Sequence, residues 1–216
     1  MREMLEPALA PLVGSGNLTD HVEFNASAFP NHIAFATPSD SGWQPITSVE
    51  FRQRVREVAK GLIADGVKPG DRVAIYSRTV YDWTVVDYAI WYAGAISVPI
   101  YETSSAEQVE WIMSDAKVVA TFFETNRVVT TFEEVAGNLP EMTNRYVFSE
   151  SALDGLAIRG HEVTDEVLEE RRNHAQPGDV ATIIYTSGTT GRPKGCMLTH
   201  SNFMNECDNL IQILPE

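Results

Sequence analysis

Short apolar runs alternate with segments of helical periodicity through the middle of the chain, and this alternation limits the fold more than any other feature. Strand-type runs occur at 72–76, 95–100 and 117–123, with a shorter run at 146–148. The segment between the first two, 82–93, has helical length and is apolar nearly all round. Strands that alternate with helices form βαβ units. We therefore predict an α/β fold in which a mainly parallel sheet is flanked by helices.

Two capping boxes predict where helices begin. Thr47 is followed three residues later by Glu50, and Ser105 is followed by Gln108, so side chains can satisfy the free amides of a first turn. Both sites precede an apolar face with helical spacing: Phe51, Val55, Val58, Leu62 and Ile63 after the first, and Val109, Ile112, Met113 and Ala116 after the second.

The remaining elements are predicted from weaker patterns. We predict helices at 127–138 and 164–172 and a strand at 179–185. Four charges opposite the apolar face of the helix that follows Thr47 are interpreted as a solvated face: Arg52, Arg54, Arg56 and Lys60.

We divide the chain into three parts. An irregular amino-terminal segment covers 1–45, where prolines are frequent. An α/β lobe covers 46–178. A loop hairpin with a following helix covers 179–216.

Composition excludes several classes of protein. The chain has 216 residues and a formal net charge of −14, which argues against nucleic acid or an anionic membrane as the main partner. The two cysteines, Cys196 and Cys207, are too few for a zinc site and indicate no disulfide framework. No apolar run has the length of a membrane span, and no signal peptide is apparent, so we expect a cytoplasmic protein with reduced thiols.

The most unusual segment is a loop rich in hydroxyls and glycine. Six consecutive Thr, Ser or Gly residues run from Thr186 to Gly191, and Pro193, Lys194 and Gly195 follow. Backbone amides, short hydroxyls and a lysine are all donors, whereas the oxygens of a polyphosphate are all acceptors. The loop therefore favours phosphate binding over the alternative of a flexible polar hairpin.

Two common motifs do not fit this loop. A P-loop would need glycine before the lysine and Ser or Thr after it, but Pro193 and Gly195 stand there. A nucleophile elbow around Ser187 would need glycines where Tyr185 and Thr189 stand.

The segment 185–195, YTSGTTGRPKG, resembles the AMP-binding signature of adenylate-forming enzymes. The upstream segments GVKPGDRVAIYSR and DWTVVDYAIWYAGAISVPIYETSSAEQVEWIMSDAKV, and the closing LTHSN, resemble the amino-terminal part of bacterial long-chain fatty-acid CoA ligases. The resemblance implies the amino-terminal lobe of the acyl-CoA synthetase/luciferase-like fold. It also implies a two-step reaction in which a carboxylate and ATP give an acyl-adenylate and pyrophosphate, and coenzyme A then takes the acyl group. ATP, Mg²⁺ and CoA are the cofactors implied.

The resemblance also implies roles for single residues. Phosphate contacts are expected from Thr186, Ser187, Gly188, Thr189, Thr190 and Lys194, of which Lys194 is also a candidate contact in the transition state. Gly191 belongs to the same nucleotide-binding loop. We expect Gly191 and Gly195 to have a conformational role, because glycine allows backbone turns that are closed to other residues. Four further matching residues carry no clear chemical role: Tyr185, Arg192, His200 and Asn202. For His200 we expect a structural hydrogen bond.

Members of this family continue for several hundred residues beyond the matched part. We therefore expect a truncated piece of an ATP-dependent long-chain fatty acid–CoA ligase that is inactive alone and self-associates through exposed apolar surface. Its partners would be small molecules, with the complete enzyme peripheral to a membrane. The alternative is a short non-catalytic protein that binds a nucleotide or a partner through the same loop. A different phosphotransferase is less favoured, because no metal-binding carboxylate motif accompanies the loop.

Overall fold

The computed structural model describes residues 8–39, 42–186 and 192–214. Its helices are α1 Thr19–Ala28, α2 Ser48–Ala64, α3 Tyr81–Tyr92, α4 Ala106–Ala116, α5 Asn126–Glu133, α6 Ala152–Arg159, α7 Asp165–Arg172 and α8 His200–Ile211. Its strands are β1 Ile33–Ser39, β2 Gly42–Thr47, β3 Arg72–Tyr76, β4 Ile96–Ile100, β5 Val118–Phe123, β6 Asn144–Val147, β7 Val180–Thr186 and β8 Lys194–Thr199.

Six strands form the main sheet, in the order β6-β5-β3-β4-β7-β8. The pairs β6–β5, β5–β3, β3–β4 and β4–β7 are parallel, and the pair β7–β8 is antiparallel. Parallel neighbours need long crossover connections, which the helices supply. The predicted mainly parallel sheet flanked by helices is confirmed.

Helices cover both faces of this sheet because its strands alternate their side chains. Val73 and Ile75 of β3 pack into a core with α2, α3 and α6, whereas Ala74 and Tyr76 pack into a second core with α4 and α5. The connection from β3 to β4 runs one way along the sheet, and the connection from β4 to β5 runs back past β3. Ligands of open α/β sheets bind at the carboxyl ends of strands near such a reversal.

The amino-terminal segment is more regular than its sequence indicated. The prediction of irregular structure over 1–45 is wrong within the described residues, because α1 and the antiparallel pair β1–β2 lie there. The Asn17 side chain accepts from the amide of Thr19 at 3.0 Å, and Asp20 accepts from the amide of Asn17 at 3.0 Å. Asn17 before the helix and Asp20 in its first turn are the signal that sequence reasoning missed. The domain boundaries themselves stay a prediction.

Other boundaries shift by a few residues. The helix predicted over 127–138 ends at Glu133 and is followed by a 3₁₀ turn, Ala136–Asn138. The strand predicted over 146–148 ends at Val147, and Phe148 begins another 3₁₀ turn. Both capping boxes form as predicted, with Thr47 and Ser105 as the capping residues.

The charges of α2 are paired, which corrects the interpretation of a solvated face. Arg56 bridges three elements, donating to Glu23 of α1 at 3.0 Å, to Asp165 at the start of α7 at 3.1 Å, and to Glu169. Lys60 lies 2.8 Å from Asp165. These contacts tie α1 and α7 to the outer side of α2. In the described residues, no helix is both long and apolar enough to span a bilayer.

One prediction concerns the close contact between α2 and α6. A Cβ at Gly61 would lie 2.4 Å from the backbone oxygen of Leu156, so Gly61→Ala must push the two helices apart. We expect a net loss of about 2 kcal/mol in the free energy of unfolding, because overpacking outweighs alanine's helix propensity. The matched control is Gly155→Ala in α6, where a Cβ meets only the flexible end of Arg159. Denaturant unfolding should show this control unchanged or stabilised by up to about 1 kcal/mol; an equal loss in both variants would contradict the helix-contact explanation.

A second prediction concerns Asp87, a buried carboxyl group of α3. Burial raises its pKa from the ordinary 3.8 to about 7, and the Ser97 hydroxyl opposes this shift. Between about pH 4 and 7, the folded chain therefore keeps a proton that the unfolded chain has already released. This contribution to stability is full below pH 4 and is lost as pH rises through 7.

The Asp87→Asn variant should remove this pH dependence. We expect a gain on the order of 2 kcal/mol in unfolding free energy at pH 8 and little change at pH 4. Urea unfolding at both pH values is the measurement, with Glu141→Gln at an exposed carboxylate as the control. If the unfolding free energies of the variant and of wild type change by the same amount between pH 4 and pH 8, Asp87 is ionised in the folded chain.

Candidate functional site

The hydroxyl- and glycine-rich loop connects β7 to β8, at the end of their antiparallel ladder. The last pair of that ladder is Thr186 opposite Lys194, and both side chains are exposed. The structure therefore brings the first and the last predicted phosphate contacts together at the base of the loop. The other predicted residues of the loop lie outside the described residues: Ser187, Gly188, Thr189, Thr190 and Gly191.

Gly195 follows Lys194 and is opposite Tyr185 in the ladder. A Cβ on Gly195 would lie 2.8 Å from Cγ2 of Ile183 and 3.1 Å from Cζ of Tyr185. Its φ is not in the left-handed region. The expected conformational role of Gly195 is therefore corrected to a packing role, because the Ile183 side chain and the Tyr185 ring leave no room for a side chain.

Tyr185 is buried and joins β7 to α4. Its hydroxyl donates to Oδ2 of Asp115 at 2.6 Å. Burial and this carboxylate partner raise the pKa of the Tyr185 hydroxyl, so it stays protonated as a donor. The sequence placed Tyr185 in the signature without a chemical role, and the structure shows it supporting the first strand of the hairpin.

A second contact with α4 supports the other strand. Nε1 of Trp111 donates to the backbone oxygen of Pro193 at 2.8 Å. The guanidinium of Arg192 lies 4.6 Å from the centre of the Trp111 ring, a distance typical of a cation–π contact. Sequence reasoning missed Trp111 and Asp115, which lie off the apolar face that defined α4; only their spacing of four residues could have indicated a shared face.

A cavity of about 390 Å³ opens beside the hairpin, at the carboxyl ends of β3, β4 and β7. Its lining is largely apolar with charged groups from two of the strand ends, and it includes Arg78, Trp83, Ile100, Glu102, Ile184 and Tyr185. The loop leaves the sheet one residue after Tyr185. A ligand that extends from this cavity would therefore reach the base of the loop.

The charged groups near the cavity are partly neutralised. Glu124, which follows β5, accepts from the amide of Arg78 at 2.9 Å and from its Nε at 2.8 Å. The Arg78 guanidinium holds the pKa of Glu124 below its usual range. Arg78 is consequently paired across the ends of β3 and β5, and Lys194 is the better candidate for an anion.

His200 begins α8 and serves the fold. Its Nδ1 accepts from the amide of Leu18 at 3.4 Å, in agreement with the expected structural hydrogen bond. Burial lowers the pKa of His200 to about 4, against the opposing charges of Asp179 and Asp20. The ring is therefore neutral at physiological pH. Asn202, also unassigned from the sequence, forms a capping box with Thr199 at the same helix start.

Within 8–39, 42–186 and 192–214, no three His, Cys, Asp or Glu side chains are grouped closely enough to hold a metal ion. Mg²⁺ is usually bound by one or two carboxylates together with substrate phosphates, so its binding by the complete enzyme stays a prediction. The donors at Thr186 and Lys194 do fit the oxygens of a polyphosphate.

Known proteins are similar to this chain in sequence and in fold. The chain is 41% identical over 209 residues to the long-chain-fatty-acid–CoA ligase FadD15 of Mycobacterium bovis. The aligned part covers 95% of this chain but 35% of that ligase, so the chain spans about a third of its relative's length.

Solved structures share the fold. A long-chain-fatty-acid–CoA ligase (FadD1) from Archaeoglobus fulgidus matches 92% of this chain and 39% of its own, with a TM-score of 0.72 and 24% identity. A fatty acyl-adenylate ligase from L. pneumophila, solved with acyl adenylate and pyrophosphate, matches 91% of this chain and 32% of its own, with a TM-score of 0.69 and 22% identity.

A family profile described as "AMP-binding enzyme" matches residues 22–215, which include every strand of the main sheet and the loop between β7 and β8. The match extends over most of the chain, and the chain therefore belongs to the AMP-binding enzyme family.

Proposed function

We propose that the loop between β7 and β8 binds the β- and γ-phosphates of ATP, in an enzyme that joins a long-chain fatty acid to coenzyme A. The observation that carries this proposal is the pairing of Thr186 with Lys194 at the base of the loop, beside the cavity at the carboxyl ends of the strands. Family membership supports ATP as the ligand. The identity to FadD15, a long-chain-fatty-acid–CoA ligase, supports the acid and the thiol.

The chemistry requires donors where negative charge develops. A fatty acid carboxylate attacks the α-phosphorus of ATP, the bond to the β-phosphate oxygen breaks, and pyrophosphate leaves. Hydroxyls, amides and an ammonium group that already face the leaving phosphates stabilise this charge without reorganisation. Thr186 and Lys194 supply one hydroxyl and one ammonium at the described base of the loop. A thiol then displaces AMP from the acyl-adenylate.

The remaining expectations follow from this proposal. The chain covers about a third of the length of FadD15, and we expect it to be inactive alone: incubation with ATP and palmitate should release no pyrophosphate above background. The cytoplasm supplies ATP and coenzyme A and is the compartment that we propose. Peripheral membrane contact of the complete enzyme stays a prediction.

Self-association of the isolated chain also stays a prediction, supported by exposed apolar side chains. Met197 of β8 and Ile211 of α8 are 66% and 65% exposed, and Ile213 and Leu214 follow them. Sedimentation velocity should show a species that grows with concentration; a monomer at all concentrations would contradict it.

The phosphate role of Lys194 can be tested by substitution. Lys194→Ala should weaken binding of pyrophosphate and of ATP by about tenfold or more, because a charge-assisted hydrogen bond is lost. Isothermal titration calorimetry on the isolated chain is the measurement. Thr189→Ala, in the loop outside the described residues, should weaken binding in the same direction.

The matched control is Lys68→Ala, an exposed lysine just before β3 and so at the opposite edge of the sheet. It should leave both affinities unchanged. Equal affinities in wild type, Lys194→Ala and Thr189→Ala would mean that the phosphates bind elsewhere. Binding of ATP together with pyrophosphate release by the isolated chain would contradict its expected inactivity.

A further inference from the structure

Two side chains of α4, which lie one helical turn apart, contact the two strands of the loop hairpin. Asp115 accepts from the hydroxyl of Tyr185 at 2.6 Å, and Tyr185 belongs to β7. Trp111 donates to the backbone oxygen of Pro193 at 2.8 Å, immediately before β8. Residues four apart lie on the same face of a helix. One face of α4 thus contacts both strands where they meet the loop.

Trp111 makes two contacts with the segment that precedes β8. Its indole N–H holds the Pro193 backbone, and its ring carries the Arg192 guanidinium at 4.6 Å. Both contacts act on consecutive residues, directly before Lys194. A movement of the indole would therefore move the backbone from which the Lys194 side chain extends.

α4 is a rigid support for these contacts. Its apolar face is buried in the core: Val109, Ile112, Met113 and Ala116. The capping box of Ser105 and Gln108 fixes its first turn, with the Ser105 oxygen accepting from Gln108 at 3.3 Å. The face that holds the hairpin is separate from the buried face. Asp115 is exposed, and Trp111 is half-buried with part of its ring packed against the edge of the core, so a ring must be kept at position 111 in any test.

We propose that Trp111 and Asp115 are positioning residues for the phosphate-binding loop. They touch no phosphate; they fix the places of Thr186 and Lys194 before the ligand arrives and thereby raise affinity for a polyphosphate. This inference rests on the proposed function of the loop. The physical reason is preorganisation: donors that are already ordered lose less conformational entropy on binding, and they must be held within about 0.5 Å of the productive geometry.

The test uses conservative variants of the isolated chain with pyrophosphate as the probe. Trp111→Phe keeps a ring for Arg192 and removes the N–H donor to Pro193. Asp115→Ala removes the acceptor for Tyr185, whereas Asp115→Asn keeps an acceptor oxygen. The control is Trp43→Phe, since Trp43 in β2 is 73% exposed and far along the chain from the hairpin.

Three quantities are measured: pyrophosphate affinity by calorimetry, melting temperature, and hydrogen exchange of the Thr186, Lys194 and Gly195 amides by NMR. We expect affinities about fivefold weaker in Trp111→Phe and Asp115→Ala, the change typical of one lost hydrogen bond. The three amides should exchange faster in these two variants. Asp115→Asn should restore both readouts towards wild type, and melting temperatures should stay close to wild type throughout.

The outcomes separate this inference from the proposed function. Unchanged exchange at the three amides in Trp111→Phe and Asp115→Ala overturns the positioning role, whatever the affinities are. Faster exchange across the whole sheet with a lowered melting temperature also overturns it, because the residues would then serve general stability. Faster exchange confined to the three amides, in a wild-type chain that binds no pyrophosphate, supports the positioning role and rejects the phosphate role of the loop.

Discussion

Parallel pairing is the constraint on which the rest of this structure depends. Parallel strands all end at the same edge of a sheet, so the segments after β3, β4, β5 and β7 emerge side by side. The cavity and the Arg78–Glu124 pair lie at this edge. The loop between β7 and β8 starts from the same edge because β7 is parallel to β4, and β8 then returns antiparallel. The site is thus a consequence of strand direction before any single side chain is considered.

Local signals were enough to predict most of the fold. The capping boxes at Thr47 and Ser105 fixed the starts of α2 and α4, and the spacing of apolar residues identified the faces that are buried. Boundaries failed where a helix relaxes into a 3₁₀ turn, as after Glu133, because no proline or glycine marks that change immediately. The prediction for the amino-terminal segment was wrong for another reason. α1 has a weakly amphipathic sequence and buries Val22 and Ala26 only because α2 and α3 lie beside it, so its stability is tertiary.

The sequence indicated which loop holds the candidate site but not which residues support that loop, and its phosphate role stays a prediction. The composition of the loop indicated phosphate chemistry, and the structure brings Thr186 and Lys194 together, as a hairpin must. Trp111 and Asp115 could not be predicted, because their partners are more than sixty residues away along the chain and are reached only when α4 crosses the sheet. The same holds for Arg56, whose charge looked solvated until α1 and α7 were placed against α2. Long-range pairing of this kind leaves no periodic trace in the sequence.

The register of β8 is fixed at both of its ends. At one end, the Tyr185 ring lies against Gly195, where no side chain fits. At the other, the amides of His200 and Ser201 donate to the backbone oxygens of Asp179 and Pro177, at 3.1 Å and 2.8 Å. A slip of one residue would put Cys196 or Lys194 beneath the aromatic ring and would break both of these backbone hydrogen bonds. Because this register places Thr186 opposite Lys194, the distance that the seven residues 187–193 must bridge is set by the two strands and not by the loop itself.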